Sequence, residues 1–311
     1  MYLIRNHHAL LPKKLQHAVV TIGNFDGVHL GHQGLLAELN QRARALNRPS
    51  GVICFEPQPQ EFFAPHPPPR LTSLRQKYQA LKQQDIDFML VLRFNERFAL
   101  MSAEDFIRQI LVKQLHVESL WIGEDFRFGH DRQGDVALLR RMGQQLGYTV
   151  EILPDVAING ERVSSTQIRA LLHAGQIEEA TQLLGRPFAL RGKVIPGAAR
   201  GRTLNMPTAN IALKSALMVQ GIFVVRVHWG QKNYPGVASL GTRPVFNGQD
   251  ALLEVHLLDF NGDLYGQMLE VEFLHKLRDE ADFASVALLQ AQMQHDLLAA
   301  KNYWNTQHEQ L

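Results

Sequence analysis

The chain has 311 residues, 45% of them hydrophobic and 20% charged, a balance typical of a globular protein with a substantial core, and its length favours two domains. A formal net charge of +2 argues against a protein that coats a nucleic-acid backbone, although a local basic site for phosphates is compatible with it. No apolar run approaches the ~18 residues of a membrane span, and the first residues lack the apolar core of a signal peptide, so the sequence predicts a cytoplasmic protein without a membrane partner.

The first half of the chain alternates short β-rich runs with helical patterns. Short, almost continuously apolar strands with helical crossovers predict a parallel sheet covered on both faces, whose ligands bind at the carboxyl ends of the strands. The single cysteine, Cys54, lies in one of these runs, and we interpret it as a small buried hydrophobic residue rather than a reactive thiol. The predicted strands cover residues 18–22, 51–55, 88–93, 118–122 and 148–153. The predicted helices cover about 31–47, 73–84 and 135–146, with another opened by the capping-box-like segment 102–105.

The pattern changes after two short predicted helices, 165–173 and 177–184. Gly185-Arg-Pro187 stops the helical pattern, because glycine and proline both end helices. The sequence therefore predicts one domain over residues 1–186 and a second over residues 187–311.

The second domain alternates apolar and polar side chains. Residues 222–229 and 252–258 show this period of two, which predicts antiparallel strands of a small barrel. A final helix over about 282–304 carries apolar residues at helical spacing, namely Phe283, Val286, Leu289, Met293 and Leu297.

The segment Gly23-Asn-Phe-Asp-Gly-Val-His-Leu-Gly-His32 follows the first predicted strand directly and runs into the first predicted helix. Its glycines let backbone amides approach an anion, and the helix N-terminus adds donors and a favourable dipole. His29 and His32 are three residues apart, so both imidazoles can stabilise the charge that develops on a phosphoryl group during transfer. The alternatives are a metal pair or two surface histidines, but no carboxylate or cysteine stands at a useful spacing for a metal.

The sequence contains neither a P-loop nor a G-x-G-x-x-G that opens a helix, so bound ATP would need another motif. The segment 23–32 resembles the H-x-G-H signature of the nucleotidyltransferase superfamily. In its fuller form it resembles the FMN adenylyltransferase half of the bacterial bifunctional riboflavin kinase/FMN adenylyltransferases, or FAD synthetases. Glu56-Pro-Gln-Pro59, Gly123-Glu-Asp-Phe-Arg-Phe-Gly129 and Arg162-Val-Ser-Ser-Thr-Gln-Ile-Arg169 carry the same resemblance. Alone, the last of these would be interpreted as a helix cap.

This resemblance implies an α/β fold whose N-terminal domain is a Rossmann-like nucleotidyltransferase with a parallel sheet. The implied reaction is adenylyl transfer from ATP to FMN, which gives FAD and pyrophosphate. The residues implied to handle ATP are the catalytic His29, His32 and Arg162 with Ser164, Ser165, Thr166 and Arg169. Those implied to line the rest of the nucleotide and flavin site are Gly23, Phe25, Asp26, Asp125, Phe126 and Arg127.

The carboxyl-terminal half resembles the riboflavin kinase domain of the same family. The segments that carry this resemblance are residues 192–195, 201–204, Met206-Pro-Thr-Ala-Asn210, 236–238, 241–244, Leu253-Glu-Val-His-Leu-Leu-Asp259, 263–266 and 277–280. The resemblance implies a small antiparallel β-barrel with a closing helix that phosphorylates riboflavin to FMN with ATP.

Three polar residues carry the implied kinase chemistry. Thr208 and Asn210 offer the hard oxygen ligands that Mg²⁺ prefers. Glu254 lies on the strand face opposite Leu253 and Val255, and the resemblance implies that it takes the proton from the riboflavin 5′-hydroxyl. Without the flanking motifs, Glu254 would be interpreted as a solvated strand residue. Basic residues that could contact phosphates or the cofactor are Lys193, Arg202 and Arg278.

Three positions depart from the family pattern, which commonly has histidine at Pro196, glycine at Asn205 and threonine at Val245. Proline lacks a backbone donor and stiffens its loop, so we expect a slower kinase step. Two alternatives to the bifunctional enzyme stay open: an adenylyltransferase whose barrel only binds flavin, and a flavin carrier without catalysis.

Overall fold

The computed structural model describes residues 1–5, 11–153, 157–158, 161–196, 206–213, 217–245 and 248–308. Two compact units divide the chain: Met1–Ser165, the sheet unit, and Thr166–Leu311, the barrel unit. The division falls at the start of a helix, about twenty residues before the boundary that Gly185-Arg-Pro187 predicts. Whether fragments 1–186 and 187–311 fold separately stays a prediction.

The sheet unit contains a six-stranded parallel sheet, as predicted. Its strands follow the order β1-β4-β3-β2-β5-β6. After β2 the chain adds β3 and β4 on one side of β2, and it then returns to add β5 and β6 on the other side. The strands are β1 (Tyr2–Arg5), β2 (Val19–Ile22), β3 (Ser50–Glu56), β4 (Phe88–Arg93), β5 (Ser119–Ile122) and β6 (Thr149–Ile152). The helices are α1 (Leu30–Ala45), α2 (Pro59–Phe63), α3 (Leu74–Gln83), α4 (Glu96–Ala99), α5 (Ala103–Asp105) and α6 (Val136–Leu146). A two-stranded ribbon follows, made of β7 (Ala157–Ile158) and β8 (Glu161–Arg162).

Both faces of this sheet are covered by apolar side chains. Alternate residues of one strand enter different core clusters: Ile53 packs in one, and Val52 and Cys54 pack in the other. Cys54 is 0% exposed, and burial raises the pKa of its thiol to about 11. The interpretation of Cys54 as a buried hydrophobic residue is therefore confirmed.

The helix that Ser102 opens differs from the prediction in its geometry. The Ser102 hydroxyl accepts a hydrogen bond from the Asp105 amide at 3.0 Å, which caps α5 as expected. The chain then continues as a π-helix over Phe106–Gln114, and the Leu115 amide donates to the carbonyl five residues earlier, that of Ile110. Such widened turns are rare and are frequent at functional sites.

The barrel unit begins with α7 (Ser165–His173) and α8 (Ile177–Leu184) and continues into a closed barrel, as predicted. The barrel order is β10-β13-β12-β11-β14-β9. Its strands are β9 (Phe188–Ile195), β10 (Ala209–Leu213), β11 (Gly221–Trp229), β12 (Lys232–Val245), β13 (Gly248–Leu257) and β14 (Met268–Arg278). The helix α9 (Val286–His308) closes the unit.

The barrel interior is filled by the residues that the period of two predicts. Phe223, Val225, Leu253 and Val255 are each 0% exposed, and Glu254 between the last two is only half-buried. The outer face of β11 and β12 is covered instead by α9, where Ala300 packs with Ile222, Val224 and Val237. Glu254 therefore points away from the barrel interior.

The closing helix starts later than predicted. The Ser285 hydroxyl accepts a hydrogen bond from the Leu288 amide at 3.3 Å, so the helix begins at Val286 rather than near residue 282. Val286, the first of its residues at this spacing, is 64% exposed at the start of the helix. The buried side of α9 lies toward its second half, at Asp296 and Ala300.

Candidate active sites

The loop after β2 brings its two histidines into direct contact. His29 caps α1, since its Nδ1 accepts a hydrogen bond from the His32 amide at 3.4 Å. The two imidazole rings stack with centroids 3.6 Å apart, and the Phe25 ring lies 5.0 Å from that of His32. With Nδ1 used as an acceptor, the neutral His29 ring carries its proton on Nε2. The stacked pair thus lies at the N-terminus of α1.

Gly31 makes this close packing possible. A Cβ at Gly31 would lie 3.1 Å from the His29 ring and 3.2 Å from the Val163 carbonyl oxygen, tighter than side chains normally pack. The loop also holds Phe25 and Val28 at φ values of 47° and 42°, a left-handed conformation that costs free energy for such residues. The surrounding contacts must therefore fix the loop in this shape.

Asp26 supplies those contacts. Its buried carboxylate accepts hydrogen bonds from the backbone amides of Leu71 and Thr72 at 3.0 and 3.1 Å. The Thr72 hydroxyl accepts a hydrogen bond from the Gly27 amide, and the Ser165 hydroxyl donates one to the Asp26 carbonyl at 2.9 Å. The geometry makes Asp26 a brace of the loop, while its predicted contact with the cofactor stays a prediction.

The other predicted residues of the sheet unit lie at the same edge of the sheet or in the ribbon after it. Arg162 is exposed in β8, and Ser164 and Ser165 are half-buried at the start of α7. Asp125 and Arg127 are exposed in the loop after β5, and Gly23 directly follows β2. Thr166 and Arg169 belong to the barrel unit, in the first turns of α7, and their role stays a prediction.

A cluster of phenylalanines from several segments of the sheet unit lies along this edge of the sheet. Phe126 and Phe128 stack with centroids 5.5 Å apart, and contacts between rings continue from Phe128 to Phe106 and Phe98. Further rings extend the cluster, and Phe63 is 67% exposed. We call this set the phenylalanine cluster: Phe55, Phe62, Phe63, Phe94, Phe98, Phe106, Phe126 and Phe128. Sequence reasoning found only its last two members, because the others are spread over four segments of the chain.

The segment Glu56-Pro-Gln-Pro59 is held by an arginine. Arg70 donates two hydrogen bonds to Glu56, at 2.8 and 3.0 Å, and also pairs with Glu61. Burial alone would raise the pKa of Glu61, but the hydrogen bonds from Arg70 and from the Gln58 amide outweigh it and lower that pKa. This fork stabilises the start of α2, which carries Phe62 and Phe63 of the phenylalanine cluster.

The predicted kinase residues form a row on the outer face of the barrel. Asn210 of β10 and Ser239 of β12 are the cross-strand partners of Glu254 on its two sides. Such partners point to the same face with Cβ atoms ~4.5–5.5 Å apart. Thr208 precedes Asn210, and its carbonyl accepts a hydrogen bond from Asn210 Nδ2 at 3.5 Å. The structure thus brings Thr208, Asn210 and Glu254 together.

The basic residues predicted for this site are less closely grouped. Arg278 is bound by Asp296 of α9 through Nε and Nη2, at 3.0 and 2.7 Å, so its guanidinium fixes the end of β14. Lys193 is exposed in β9. Arg202 and Asn205 lie outside the described residues, as does the side chain of Val245.

Sequence reasoning missed Glu280, which follows Arg278 in the segment 277–280. Its carboxylate lies over β12 near Ser239, since a Cβ at Gly241, two residues further along the strand, would lie 2.3 Å from Glu280 Oε1. The signal was present as the fourth residue of a quoted motif, but nothing local in the sequence connects residue 280 to residue 239.

No helix among the described residues is long and apolar enough to cross a membrane. A family model described as FAD synthetase matches residues 11–167, and one described as riboflavin kinase matches residues 184–304.

Two curated relatives, both named bifunctional riboflavin kinase/FMN adenylyltransferase, match nearly the whole chain. The Pseudomonas fluorescens protein is 45% identical over 97% of this chain and 97% of its own length. The protein of Escherichia coli strain K12 is 44% identical over 98% of each. A crystal structure described as a macrolide-efflux protein from Streptococcus pneumoniae superposes with a TM-score of 0.85 at 31% identity, over 97% of this chain and 98% of that one.

The two family models match consecutive parts of the chain, and the relatives match nearly all of it. The chain therefore belongs to the bifunctional riboflavin kinase/FMN adenylyltransferase family, with an FAD synthetase region followed by a riboflavin kinase region.

Proposed function

We propose that this enzyme makes FAD in two ATP-dependent steps, each at a separate group of residues. The barrel unit phosphorylates riboflavin to FMN, and the loop after β2 adenylylates FMN to FAD. Family membership supports the two reactions. The observation that carries the assignment of residues is the stacked His29–His32 pair at the N-terminus of α1, together with the row of Asn210 and Glu254 on the barrel.

Adenylyl transfer forms a bond between a phosphate oxygen of FMN and the α-phosphorus of ATP and breaks the bond to pyrophosphate. Negative charge builds on the oxygens of the α-phosphate, and donors already in place stabilise it without reorganisation. The Nε2–H of His29 and the ring of His32 are suited to this task, as are the amides at the start of α1. Arg162, Ser164 and Ser165 are proposed to bind the phosphate chain.

The flavin ring requires a flat apolar surface. The phenylalanine cluster borders the loop after β5, and β5 is the neighbour of β2 on the side where the strand order reverses. Ligands of open parallel sheets bind at such a reversal. We therefore assign the flavin ring to Phe126 and to the exposed members of the cluster, with Asp125 and Arg127 at its rim.

Phosphoryl transfer on the barrel depends on Glu254 and on a divalent metal. Asn210 uses its NH₂ group toward the Thr208 carbonyl, so its carboxamide oxygen is the atom suited to Mg²⁺, together with the Thr208 hydroxyl. Bound Mg²⁺ would neutralise charge on the ATP phosphates. Glu254 removes the proton from the riboflavin 5′-hydroxyl as that oxygen attacks the γ-phosphorus, and ADP leaves.

Product analysis with ATP and Mg²⁺ tests the proposal. The bifunctional enzyme converts riboflavin to FMN and then to FAD. An adenylyltransferase with a barrel that only binds flavin would give FAD from FMN but nothing from riboflavin, and a flavin carrier would give neither product. We expect FMN to form from riboflavin, in a kinase step that Pro196 slows. We also propose a cytoplasmic location, where ATP and Mg²⁺ are available.

A further inference from the structure

Glu280 is a second carboxylate at the row formed by Asn210, Glu254 and Ser239. Strand β12 connects the two carboxylates: its Ser239 is the cross-strand partner of Glu254, and two residues further along, a Cβ at Gly241 would lie 2.3 Å from Glu280 Oε1. Burial raises the pKa of Glu280, and the charge of Glu254 raises it further, while Ser239 and Arg278 act in the opposite direction. Glu254 and Glu280 therefore lie on the same part of the outer face of the barrel.

Two features place the segment that carries Glu280. Arg278, two residues earlier, is fixed by the ion pair with Asp296 of α9, and it also donates a hydrogen bond to the Asp279 carbonyl at 2.9 Å. On the barrel side, Gly241 leaves the space that the carboxylate occupies, because a Cβ there would lie 2.3 Å from Glu280 Oε1. The position of Glu280 thus depends on the space above Gly241 of β12 and on the fixed segment Arg278–Asp279 that precedes it.

The chemistry of this pair selects its ligand. Ionised carboxylates accept hydrogen bonds and donate none, so two of them side by side suit a neutral molecule with several hydroxyl donors. Glu280 is exposed and Glu254 is half-buried, which leaves both within reach of a ligand on this face. Riboflavin has such a chain of hydroxyls, the ribityl group, and its last hydroxyl is the one phosphorylated.

We propose that Glu280 binds the ribityl chain of riboflavin and positions its terminal hydroxyl against Glu254. This inference rests on the proposed kinase function. Glu280 accepts a hydrogen bond from an inner hydroxyl, and Glu254 accepts the proton of the terminal one while the new O–P bond forms and the bond to ADP breaks. Glu280 is a binding residue and takes no proton in the reaction.

The test compares riboflavin with lumiflavin, a flavin ring that has a methyl group in place of the ribityl chain. Glu280→Gln should weaken riboflavin binding about 10-fold, because it removes a charged hydrogen-bond acceptor. The affinity is measured from the quenching of flavin fluorescence as riboflavin binds to the enzyme. Lumiflavin binding and the KM for ATP should not change. Asp279→Asn is the matched control, since the Asp279 side chain is 84% exposed and pairs with Lys276 instead.

A second variant moves the carboxylate without removing it. Gly241→Ala should displace Glu280 and weaken riboflavin binding in the same direction, and this variant decides the question if Glu280→Gln fails to fold. Unchanged riboflavin affinity in both variants, or equal weakening of riboflavin and lumiflavin, overturns the role of Glu280. Absence of FMN formation by the parent enzyme would instead overturn the proposed kinase function, and the comparison of the two flavins could still be measured.

Discussion

The sheet unit and the barrel unit assemble their reacting groups in different ways. In the sheet unit the groups come from loops at the carboxyl ends of several parallel strands, and long-range contacts such as those of Asp26 hold these loops together. In the barrel unit, Asn210, Glu254 and Ser239 come from neighbouring strands and are placed by the register of the sheet itself. Residues placed by strand pairing should keep their positions when neighbouring side chains are changed. Residues on loops should move when a hydrogen bond that holds the loop, such as one of Asp26, is lost.

The largest expected effect tests the barrel half of this comparison. Glu254→Gln keeps the size of the side chain but removes the base, so riboflavin phosphorylation should fall by ~10²–10⁴-fold. Adenylylation of FMN should continue at the parent rate, because the other reaction uses the loop after β2. Rates of FMN and FAD formation, measured separately by chromatography, check both statements. Equal loss of both activities would show that the two reactions share one site.

The corresponding change in the sheet unit is His29→Ala. It removes a donor and also the cap of α1, so FAD formation from FMN should fall by ~10²–10³-fold while phosphorylation of riboflavin is spared. His66→Ala is the control, because His66 is an exposed histidine of the same unit. A rate within a few-fold of the parent for His29→Ala would remove the histidine pair from the mechanism.

Fragments test where one unit ends and the other begins. Ile177, Ala180 and Leu184 of α8 are buried, and the Glu178 carboxylate lies 2.5 Å from His275 Nδ1 of β14. A fragment of residues 166–311 should therefore be more stable than one of residues 187–311, by about 3 kcal/mol or more for the lost burial. Denaturant unfolding of both fragments measures this difference. Equal stability would support the boundary at 186/187.

Lys77 gives a smaller effect on stability. Its side chain in α3 is 0% exposed, and among the described residues its Nζ has no hydrogen-bond partner. Since a buried charge without a partner costs free energy, Lys77→Met should raise the Tm by about 2–4 °C, whereas Lys82→Met on the exposed side should leave it unchanged. A lower Tm for Lys77→Met would mean that attraction to nearby carboxylates such as Glu61 outweighs the cost of burial.

Cys54 gives the smallest effect. Because burial raises the pKa of its thiol to about 11, the reactive thiolate forms only as the pH approaches that value. At about pH 8 the folded protein should resist iodoacetamide, and the unfolded protein should react completely, as read by mass spectrometry. Modification of the folded protein at this pH would show that β3 opens readily to solvent.

The sequence predicted what is local and missed what is distant. The histidine pair was predictable because His29 and His32 follow a strand and begin a helix within ten residues. The brace by Asp26 was not, since its partners Leu71 and Thr72 are 45 and 46 residues away. Lys77 lies between Leu74 and Leu81 on the apolar side of α3, which signals burial, but a lysine there is normally interpreted as exposed. The period of two predicted correctly that Glu254 lies on the face of its strand opposite Leu253 and Val255. Glu280 lies in a segment without such a period, so no pattern in the sequence predicted its position.

Closure of the barrel has a consequence for self-association. Strands at the edge of a sheet present unpaired backbone groups that can recruit another chain, and a closed barrel has no such edge. The parallel sheet ends at β1 and β6, and Tyr2 and Leu3 of β1 are 48% and 40% exposed. Aggregation of partly unfolded chains by strand addition should therefore begin at the short N-terminal strand, and a charged residue at Leu3 should suppress it.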